Sequence, residues 1–339
     1  MNILYCSDNN YAPYLGVSVT SVLETNRDAE SIVFYVISDG ISEDNLDRLQ
    51  RQVARYGENR RLVLIDGKDW IQRLTDMTML RYRGSHAANL RLFFTEYIES
   101  DVERVLYLDC DTIIQASLKE LFETEMGSHP VAVALDSLTA YYKPVVGFEQ
   151  SDYYFNSGVV LFDVKNWAEN NCQQRLIELL RDFPKPYFVN PDQDVLNILL
   201  KEEKQIISPK YNFQTTHQVY PSAIYYANYS QVGYYKKEEL EEAKKSPVIL
   251  HAYRFLGQFP WHKRAIHPFR ELWWKYVAIS EWSDLEPRKN KGKLFMIERI
   301  LYRLLPKRLF LPIFRKLQSH FFKKQLKAMK QNEKGGSSE

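Results

Sequence analysis

V-L-Y-L-D-C-D-T-I-I, residues 105–114, is the stretch that decides how the rest of the chain is interpreted. Its apolar residues predict a buried strand of an α/β sheet, with Asp109 and Asp111 at the carboxyl end. Open α/β sheets bind their ligands at this edge. Because neighbouring carboxylates repel each other, we expect Mn²⁺ or Mg²⁺ between them, placed to hold a nucleotide diphosphate. The alternative is that both acids only cap a helix or face water.

The composition limits the class of protein. The chain has 339 residues, of which 45% are hydrophobic and 14% aromatic, enough either for one large α/β domain or for a domain plus an appendage. Its three cysteines (Cys6, Cys110 and Cys172) lack metal-ligand spacing, and their odd, small number favours a reducing compartment. No signal-peptide pattern opens the sequence, and no apolar run reaches the roughly 18–20 residues that span a bilayer. We therefore expect a cytoplasmic protein.

Positive charge is concentrated near the C-terminal end. Residues 288–330 contain fourteen Lys and Arg against one acid, Glu298, so this segment carries +13 and the remainder −11, within a total of +2. Leu, Ile and Phe alternate with these basic residues at helical spacing, interrupted by Pro306 and Pro312. The pattern predicts basic amphipathic helices over 281–330 that contact the inner face of an anionic membrane. The dense apolar residues favour lipid over nucleic acid, and packing on the body or homodimer formation are the structural alternatives.

Strands and helices alternate before the central stretch. Strands are predicted at 2–6, 31–38 and 61–65, and helices separate them, one of them at 42–56. This order predicts a parallel sheet of the kind that binds nucleotides. Neither G-x-G-x-x-G nor G-x-x-x-x-G-K-[ST] occurs, which speaks against dinucleotide oxidoreductases and P-loop NTPases.

Polar residues follow the first predicted strand. Asp8, Asn10 and Tyr11 are suited to recognise a base edge and a ribose, with Tyr11 stacking on a pyrimidine. The alternative is an ordinary helix start, because Pro13 suits the first turn and Asp8 or Asn10 can cap it.

Three later segments bring further functional groups towards the same sheet. A helical pattern over 86–98 carries Arg91, which can pair with a carboxylate or bind a sugar hydroxyl or phosphate. A buried strand at 154–163 contains Gly158, which allows close backbone approach. A short strand ends in His251, a candidate metal ligand if it meets the acidic strand end.

A second D-x-D occurs in N-P-D-Q-D-V-L-N, residues 190–197. Asp192 stands where a helix N-cap belongs and Asp194 falls in the first turn, so a purely structural role is a strong alternative. The strand context therefore assigns the metal to the first pair.

Together these segments resemble the family 8 retaining glycosyltransferases, which include bacterial lipooligosaccharide galactosyltransferases and glycogenin. The resemblance extends over roughly residues 1–275. It rests on five motifs in the family's order: S-D-N-N-Y, E-Y-I followed by V-L-Y-L-D-C-D, F-N-S-G-V, P-D-Q-D-V-L-N, and a late His followed by P-W-H. It implies an α/β GT-A fold, a single Rossmann-like nucleotide-binding domain with a mixed central sheet. We expect this catalytic domain at 1–280, the basic helical region at 281–330 and a disordered end at 331–339.

The resemblance also implies a Mn²⁺ (or Mg²⁺) ion, a UDP-sugar donor and a set of site residues. The implied metal ligands are Asp109, Asp111 and His251. The implied donor-binding residues are Cys6 (through its backbone), Asp8, Asn10, Tyr11, Arg91, Asp109, Cys110, Asn156, Gly158, Gly257 and Lys263. The implied catalytic residues are Asp192, Gln193 and Asp194.

The chain departs from the family at the diphosphate. The family follows the His with G-x-x-K-P-W, whereas this chain reads R-F-L-G-Q-F-P-W-H-K over 254–263, two residues longer and with no Lys before Pro260. Gly257 is expected to keep its role, and either Arg254 or Lys263 to supply the positive charge.

The sequence thus predicts a metal-dependent retaining hexosyltransferase that moves glucose or galactose from a UDP-sugar to a hydroxyl of a cell-surface glycan, glycolipid or glycoprotein. Retention requires either an enzyme nucleophile or front-face attack. Since Gln193 is a poor nucleophile, front-face attack with Gln193 stabilising charge is favoured, and Asp194 is the alternative nucleophile. Competing hypotheses are a non-catalytic nucleotide-sugar-binding protein of the same fold and a phosphohydrolase that uses Asp109 as its nucleophile; the distant motifs do not fit the phosphohydrolase.

Overall fold

The computed structural model describes most of the chain. The described residues are 1–77, 79–82, 84–137, 142–182, 190–228, 232–289, 293–317, 319–320 and 323. The predicted disordered end at 331–339 and residues 324–330 of the predicted basic region lie outside them.

The described strands form two sheets. They are β1 (Asn2–Asp8), β2 (Ile32–Asp39), β3 (Arg60–Asp66), β4 (Arg104–Leu108), β5 (Thr112–Ile114), β6 (Val131–Leu135), β7 (Phe155–Asp163), β8 (Gln205–Ile206), β9 (Phe213–Gln214) and β10 (Ile249–His251). The larger sheet has the order β3-β2-β1-β4-β7-β6-β8, and the smaller one β5-β10-β9. Strands β1 to β4 are parallel, whereas β7 runs antiparallel to β4 and β6. The predicted mixed central sheet is confirmed.

Helices occupy the connections between these strands and the segment that follows β10. They are α1 (Ala12–Thr25), α2 (Glu43–Ala54), α3 (Lys68–Asp76), α4 (Lys119–Phe122), α5 (Val164–Glu169), α6 (Cys172–Asp182), α7 (Pro191–Leu199), α8 (Thr215–Val219), α9 (Ser222–Asn228), α10 (Lys237–Lys245), α11 (Arg270–Ile279), α12 (Lys293–Leu304) and α13 (307–317). Shorter 3₁₀ helices lie at Ala87–Glu96, Lys143–Val146 and Pro209–Asn212.

Both faces of the central sheet are buried, which explains its long apolar strands. In β1, Ile3 and Tyr5 belong to one hydrophobic core, and Leu4 and Cys6 belong to the other. Successive side chains of a strand point to opposite faces, so β1 separates two cores and needs apolar residues at every position.

The stretch at 105–114 contains a strand that ends directly before the two acids, as the sequence predicts, and then a second, short strand. Strand β4 ends at Leu108, a turn follows at 109–111, and β5 then pairs antiparallel with β10 in the smaller sheet. Thr112 stabilises the turn, because its backbone N–H and its hydroxyl both donate to the Asp109 carbonyl, at 3.1 and 2.8 Å. The two acids therefore lie at the junction of the two sheets.

The antiparallel direction of β7 brings its first residues to the same edge. Leu108 at the end of β4 pairs with Val159, and the Asp109 N–H donates to the Gly158 carbonyl at 2.8 Å. The F-N-S-G-V motif at the start of β7 thus lies beside the acidic pair that follows β4.

The helix predicted at 86–98 was wrong in detail. It is the 3₁₀ helix, with non-helical angles at Phe93. Further along the chain, α5 and α6 are separate helices because Asn171 between them adopts a left-handed φ of 52°.

The C-terminal helices pack on the body. Pro306 separates α12 from α13 as predicted, but Pro312 lies inside α13. Phe310 and Leu311 are buried in the body's hydrophobic core, at 2% and 0% exposure. Burying two such side chains contributes roughly 3–6 kcal/mol, which offsets the roughly 3 kcal/mol cost of an internal proline. No helix in the described part of the chain has the length and apolar character needed to cross a bilayer.

Candidate active site

A cavity of about 410 Å³ opens at the sheet edge where β1, β4 and β6 end and β7 begins. His251, from β10 of the smaller sheet, and Gln193, from α7, also line it. This is the edge at which the sequence predicted ligand binding.

Asp109, Asp111 and His251 converge in this cavity. Each offers one ligand atom, and these atoms lie within 4.8 Å of one another. His251 Nε2 lies 3.2 Å from Asp111 Oδ1 and 3.6 Å from Asp109 Oδ2. His251 Nδ1 lies 3.0 Å from the Asn212 side-chain oxygen, which fixes the ring with Nε2 towards the carboxylates. Two carboxylates and an imidazole suit Mn²⁺ or Mg²⁺, the imidazole favouring the transition metal, so the donor set fits the implied cation.

The pKa values in this cluster reflect a strongly negative local field. Burial disfavours charge on His251, but Asp111 and then Asp109 raise the pKa of its imidazole above the usual value. Burial likewise opposes ionisation of Asp109, yet Arg91 and His251 lower the pKa of that carboxyl below its usual value. The surroundings thus favour a positive group between the acids.

Gly158 is required by the closeness of this cluster to β7. A Cβ atom at this position would come within 2.2 Å of His251 Cε1 and 2.6 Å of Asp109 Oδ2. Any larger residue would displace the imidazole or the carboxylate.

Arg91 joins the two D-x-D pairs. Its side chain is 3% exposed, and it donates to Asp109 Oδ1 at 2.9 Å. Arg91 Nε lies 3.3 Å from Asp192 Oδ2, and its guanidinium stacks 3.9 Å from the centre of the Tyr107 ring. Of the alternatives given by the sequence, pairing with a carboxylate is the one observed, and Arg91 also lines the cavity.

Asp192 is not the N-cap of α7, contrary to the structural alternative. Asn190 occupies that position because Pro191 forms the first helical residue, which moves Asp192 into the first turn. Its carboxylate faces Arg91 and accepts from the Ser157 hydroxyl at 2.9 Å. Burial raises the pKa of this carboxyl.

Gln193 lines the cavity within a dense hydrogen-bond network. Its Oε1 accepts from the Ser157 N–H at 3.1 Å and from Asn156 Nδ2 at 3.2 Å. Its Nε2 donates to Asp136 Oδ2 and to the Tyr154 hydroxyl, both at 3.1 Å. The amide is therefore held in one orientation.

Asp194 points away from the cavity. It is fully buried, and its carboxylate accepts from the Tyr142 hydroxyl at 2.7 Å and from the Tyr154 hydroxyl at 2.5 Å. Burial raises the pKa of Asp194 to about 7. The residue supports the start of α7, where Asp194 Oδ2, the oxygen that accepts from Tyr142, also accepts from the Asn190 N–H at 3.0 Å.

Asp136 is a site residue that the sequence reasoning missed. It follows β6, lines the cavity and accepts from Asn156 Nδ2 at 2.8 Å and from Gln193 Nε2 at 3.1 Å. Its signal was an acid directly after the apolar strand V-A-V-A-L, but a single acid there resembles any turn residue.

Most of the predicted donor-binding residues reach the cavity. Those lining it are Cys6, Asp8, Tyr11, Arg91, Asp109, Cys110 and Asn156. The N-cap residue of α1 is Tyr11, and neither Asp8 nor Asn10 caps the helix; the Asp8 carboxylate accepts from the Tyr11 N–H at 2.9 Å in the turn before it. Asn10 is exposed outside the lining, and Gly158 packs against the side chains of Asp109 and His251.

The segment that departs from the family pattern places Arg254, not Lys263, at the cavity. Arg254 lines it and stacks 4.9 Å from the ring centre of Phe295 in α12. Lys263 is exposed, and its backbone N–H donates to the Arg288 carbonyl at 2.7 Å. Gly257 lies outside the lining with φ +74°, and a Cβ there would come within 2.2 Å of the Phe295 ring.

A mixed α/β sheet in which two carboxylates and an imidazole converge at the ligand-binding edge is typical of a GT-A type of protein, and the family comparison agrees. The family model described as Glycosyl transferase family 8 matches residues 2–265. The chain belongs to glycosyl transferase family 8 and is a sugar-transferring enzyme.

Some relatives match over most of their own length, whereas others, such as glycosyltransferase GlyA of Streptococcus pneumoniae, match over only 35%. General stress protein A of Bacillus subtilis is 27% identical over 84% of this chain and 96% of its own. Lipopolysaccharide 1,2-glucosyltransferase of Escherichia coli is 27% identical over 86% and 82%. The crystal structure of the galactosyltransferase LgtC with donor and acceptor sugar analogues superposes with a TM-score of 0.66, at 26% identity, over 83% of this chain and 96% of that one. The GT-A fold is thereby confirmed.

Proposed function

We propose that this glycosyltransferase is a metal-dependent retaining enzyme that moves glucose or galactose from a UDP-sugar to a hydroxyl of a cell-surface glycan, glycolipid or glycoprotein. The observation that carries the proposal is the convergence of Asp109, Asp111 and His251 in one cavity. The hexose is supported by the similar glucosyltransferase and galactosyltransferase, which act on these two sugars.

Asp109, Asp111 and His251 would hold the cation. When bound, Mn²⁺ (or Mg²⁺) supplies Lewis-acid stabilisation of the negative charge on a departing diphosphate. Asn212 and Gly158 keep the imidazole in place, and Arg91 fixes the Asp109 carboxylate.

The UDP portion fits the β1 side of the cavity. Asp8 and Tyr11 line it there and offer a carboxylate and an aromatic ring to the uridine. Arg254 supplies a positive charge for the diphosphate, the role for which the sequence had offered Arg254 or Lys263.

The sugar would lie among Asp136, Asn156 and Gln193, whose side chains hold each other in fixed orientations. Preorganised amide and carboxylate groups stabilise positive charge at the anomeric carbon without reorganising during the reaction. Asp194 is enclosed by two tyrosine hydroxyls outside the cavity, so front-face attack with Gln193 beside the reacting centre fits better than a covalent intermediate on Asp194.

The C-terminal helices support peripheral membrane contact at the inner face of the cell membrane. Their solvent-exposed apolar residues are Met296, Ile297, Ile300, Leu304, Leu309, Ile313 and Leu317. Arg303, Arg308 and Lys316 lie among them. Replacing Ile297, Ile300 and Leu304 with Ser should abolish co-sedimentation with anionic vesicles, and unchanged sedimentation would contradict the membrane contact.

Release of UDP tests the proposed reaction. The full-length protein should release UDP from UDP-glucose or UDP-galactose in the presence of Mn²⁺, and EDTA should stop this release. Release of inorganic phosphate would indicate a phosphohydrolase. Binding of both UDP-sugars without any turnover would favour the non-catalytic alternative, a nucleotide-sugar-binding protein of the same fold.

A further inference from the structure

Helix α13 reaches the catalytic cavity. Phe314 is half-buried and lines the same space as Asp109 and Gln193. One turn earlier, Phe310 and Leu311 anchor the helix in the core of the body. A residue from the basic C-terminal region is therefore part of the cavity wall.

A continuous row of aromatic rings connects Phe314 with the body. Its ring centre lies 5.5 Å from that of Phe310, and Phe310 lies 5.3 Å from Tyr302. Tyr302 lies 5.1 Å from Phe255, which in turn lies 6.4 Å from Tyr220. Such contacts fix ring positions, so the wall formed by Tyr220, Phe255 and Phe314 is preformed.

Helix α12 braces the middle of this wall. The Arg299 guanidinium donates to the Leu256 carbonyl at 3.2 Å, and Phe295 packs against Gly257. Leu256, which lines the cavity, is held at a positive φ of 47°, a conformation that needs such support in a residue other than glycine.

Polar groups suitable for sugar hydroxyls lie in the same part of the molecule. The hydroxyls of Ser137, Thr216 and Tyr253 form a connected set at 2.7–2.8 Å, and all three residues line the cavity. Thr216 belongs to α8, which ends just before Tyr220. Aromatic rings beside a group of hydroxyls are suited to bind a saccharide, because the C–H faces of a sugar stack on rings while its edges form hydrogen bonds.

We propose that Phe314, Phe255 and Leu256 form the acceptor subsite and that they stack on a saccharide ring of the acceptor; this rests on the proposed glycosyl transfer. The uridine candidates Asp8 and Tyr11 belong to β1 and the start of α1, whereas the ring wall follows β10 and continues into the C-terminal helices. The C-terminal region thus contributes to substrate recognition in addition to any contact with lipid.

Saturation-transfer NMR tests this subsite without requiring turnover. Methyl α- and β-glucosides and galactosides are titrated into the full-length protein with UDP and Mn²⁺, in the absence of lipid. Phe314→Ala and Phe314→Leu should each weaken binding of the responding glycoside by about tenfold, because Leu keeps apolar volume but not the ring. Phe314→Tyr should bind as the unsubstituted protein does. Ile313→Ala is the matched control, since the neighbouring Ile313 is 45% exposed and should leave binding unchanged.

The other outcomes decide against the subsite or against the transfer reaction. It is overturned if no methyl glycoside binds the unsubstituted protein, or if Phe314→Leu binds as well as Phe314→Tyr. It is also overturned if only octyl glucoside depends on Phe314, because the wall would then take an alkyl chain. If glycoside binding depends on Phe314 but the protein releases no UDP, only the transfer reaction is contradicted. If the protein releases UDP but glycoside binding does not depend on Phe314, only the subsite is contradicted.

Discussion

The two D-x-D pairs have the same spacing and opposite surroundings. The side chains of Asp109 and Asp111, in the turn after β4, retain 28% and 13% exposure and face the cavity. The Asp192 side chain, in the first turn of α7, is 7% exposed, and Asp194 is fully buried. The first pair meets an imidazole, whereas the members of the second pair meet different partners.

The secondary structure around each pair explains the difference. The turn after β4 places Asp109 and Asp111 at the junction of the two sheets, where both carboxylates approach His251. Residues two apart on a helix point in nearly opposite directions, so Asp192 meets Arg91 while Asp194 meets Tyr142 and Tyr154. Only the first pair can share one ion.

The largest effect is expected from Asp111→Asn. The change removes one charged ligand while it keeps the shape of the side chain, so Mn²⁺-dependent UDP release should fall by about 10³-fold or more. Thermal unfolding with increasing Mn²⁺ provides the matched comparison. The stabilisation by Mn²⁺ should disappear in Asp111→Asn and remain in Asp194→Asn. Equal loss in both variants would mean that the two pairs do not differ in metal binding.

A smaller effect is expected from the positive charge beside the first pair. Arg254→Ala should lower kcat/KM for UDP release by about 10- to 100-fold, because a charge-assisted contact with the diphosphate is lost. Lys263→Ala, a neighbouring basic residue outside the cavity lining, should change it by less than about twofold. A larger loss of kcat/KM in Lys263→Ala than in Arg254→Ala would assign the diphosphate contact to Lys263.

The smallest effect is expected from the pH dependence of the second pair. Because burial raises the pKa of Asp194 to about 7, the folded protein keeps a proton that the unfolded chain releases near pH 4. This group therefore stabilises the fold most at low pH, and its contribution is lost as pH rises towards 7. The side chain at position 194 does not titrate in Asp194→Asn. The free energy of unfolding of this variant, measured in urea relative to that of the unsubstituted protein, should therefore rise by about 2 kcal/mol between pH 5 and pH 7.5. Parallel pH profiles would contradict a raised pKa.

The apolar runs of the buried strands were sufficient to predict a sheet with Asp109 and Asp111 at its ligand-binding edge, because the ends of such strands fall on one edge. The mixed strand directions and the complete set of Asp109, Asp111 and His251 were implied by the resemblance to the family, since the strand pattern alone predicted parallel strands. The split of 105–114 between two sheets was not predictable, because Ile113 and Ile114 are as apolar in β5 as they would be in a longer β4.

Contacts between segments that are distant in the chain could not be predicted from the sequence either. The place of Phe314 in the cavity depends on the burial of Phe310 and Leu311, and an amphipathic pattern predicts a buried face without naming its partner. The choice between Arg254 and Lys263 depends on how the loop at 254–258 packs on α12, which spacing alone does not determine.

The most direct test of the metal assignment is a crystal structure with Mn²⁺ and UDP, with data collected at the manganese absorption edge. The account predicts one anomalous peak within about 2.4 Å of oxygens from Asp109 and Asp111 and of His251 Nε2. A peak beside Asp192 and Asp194, or no peak at saturating Mn²⁺ and UDP, would contradict it.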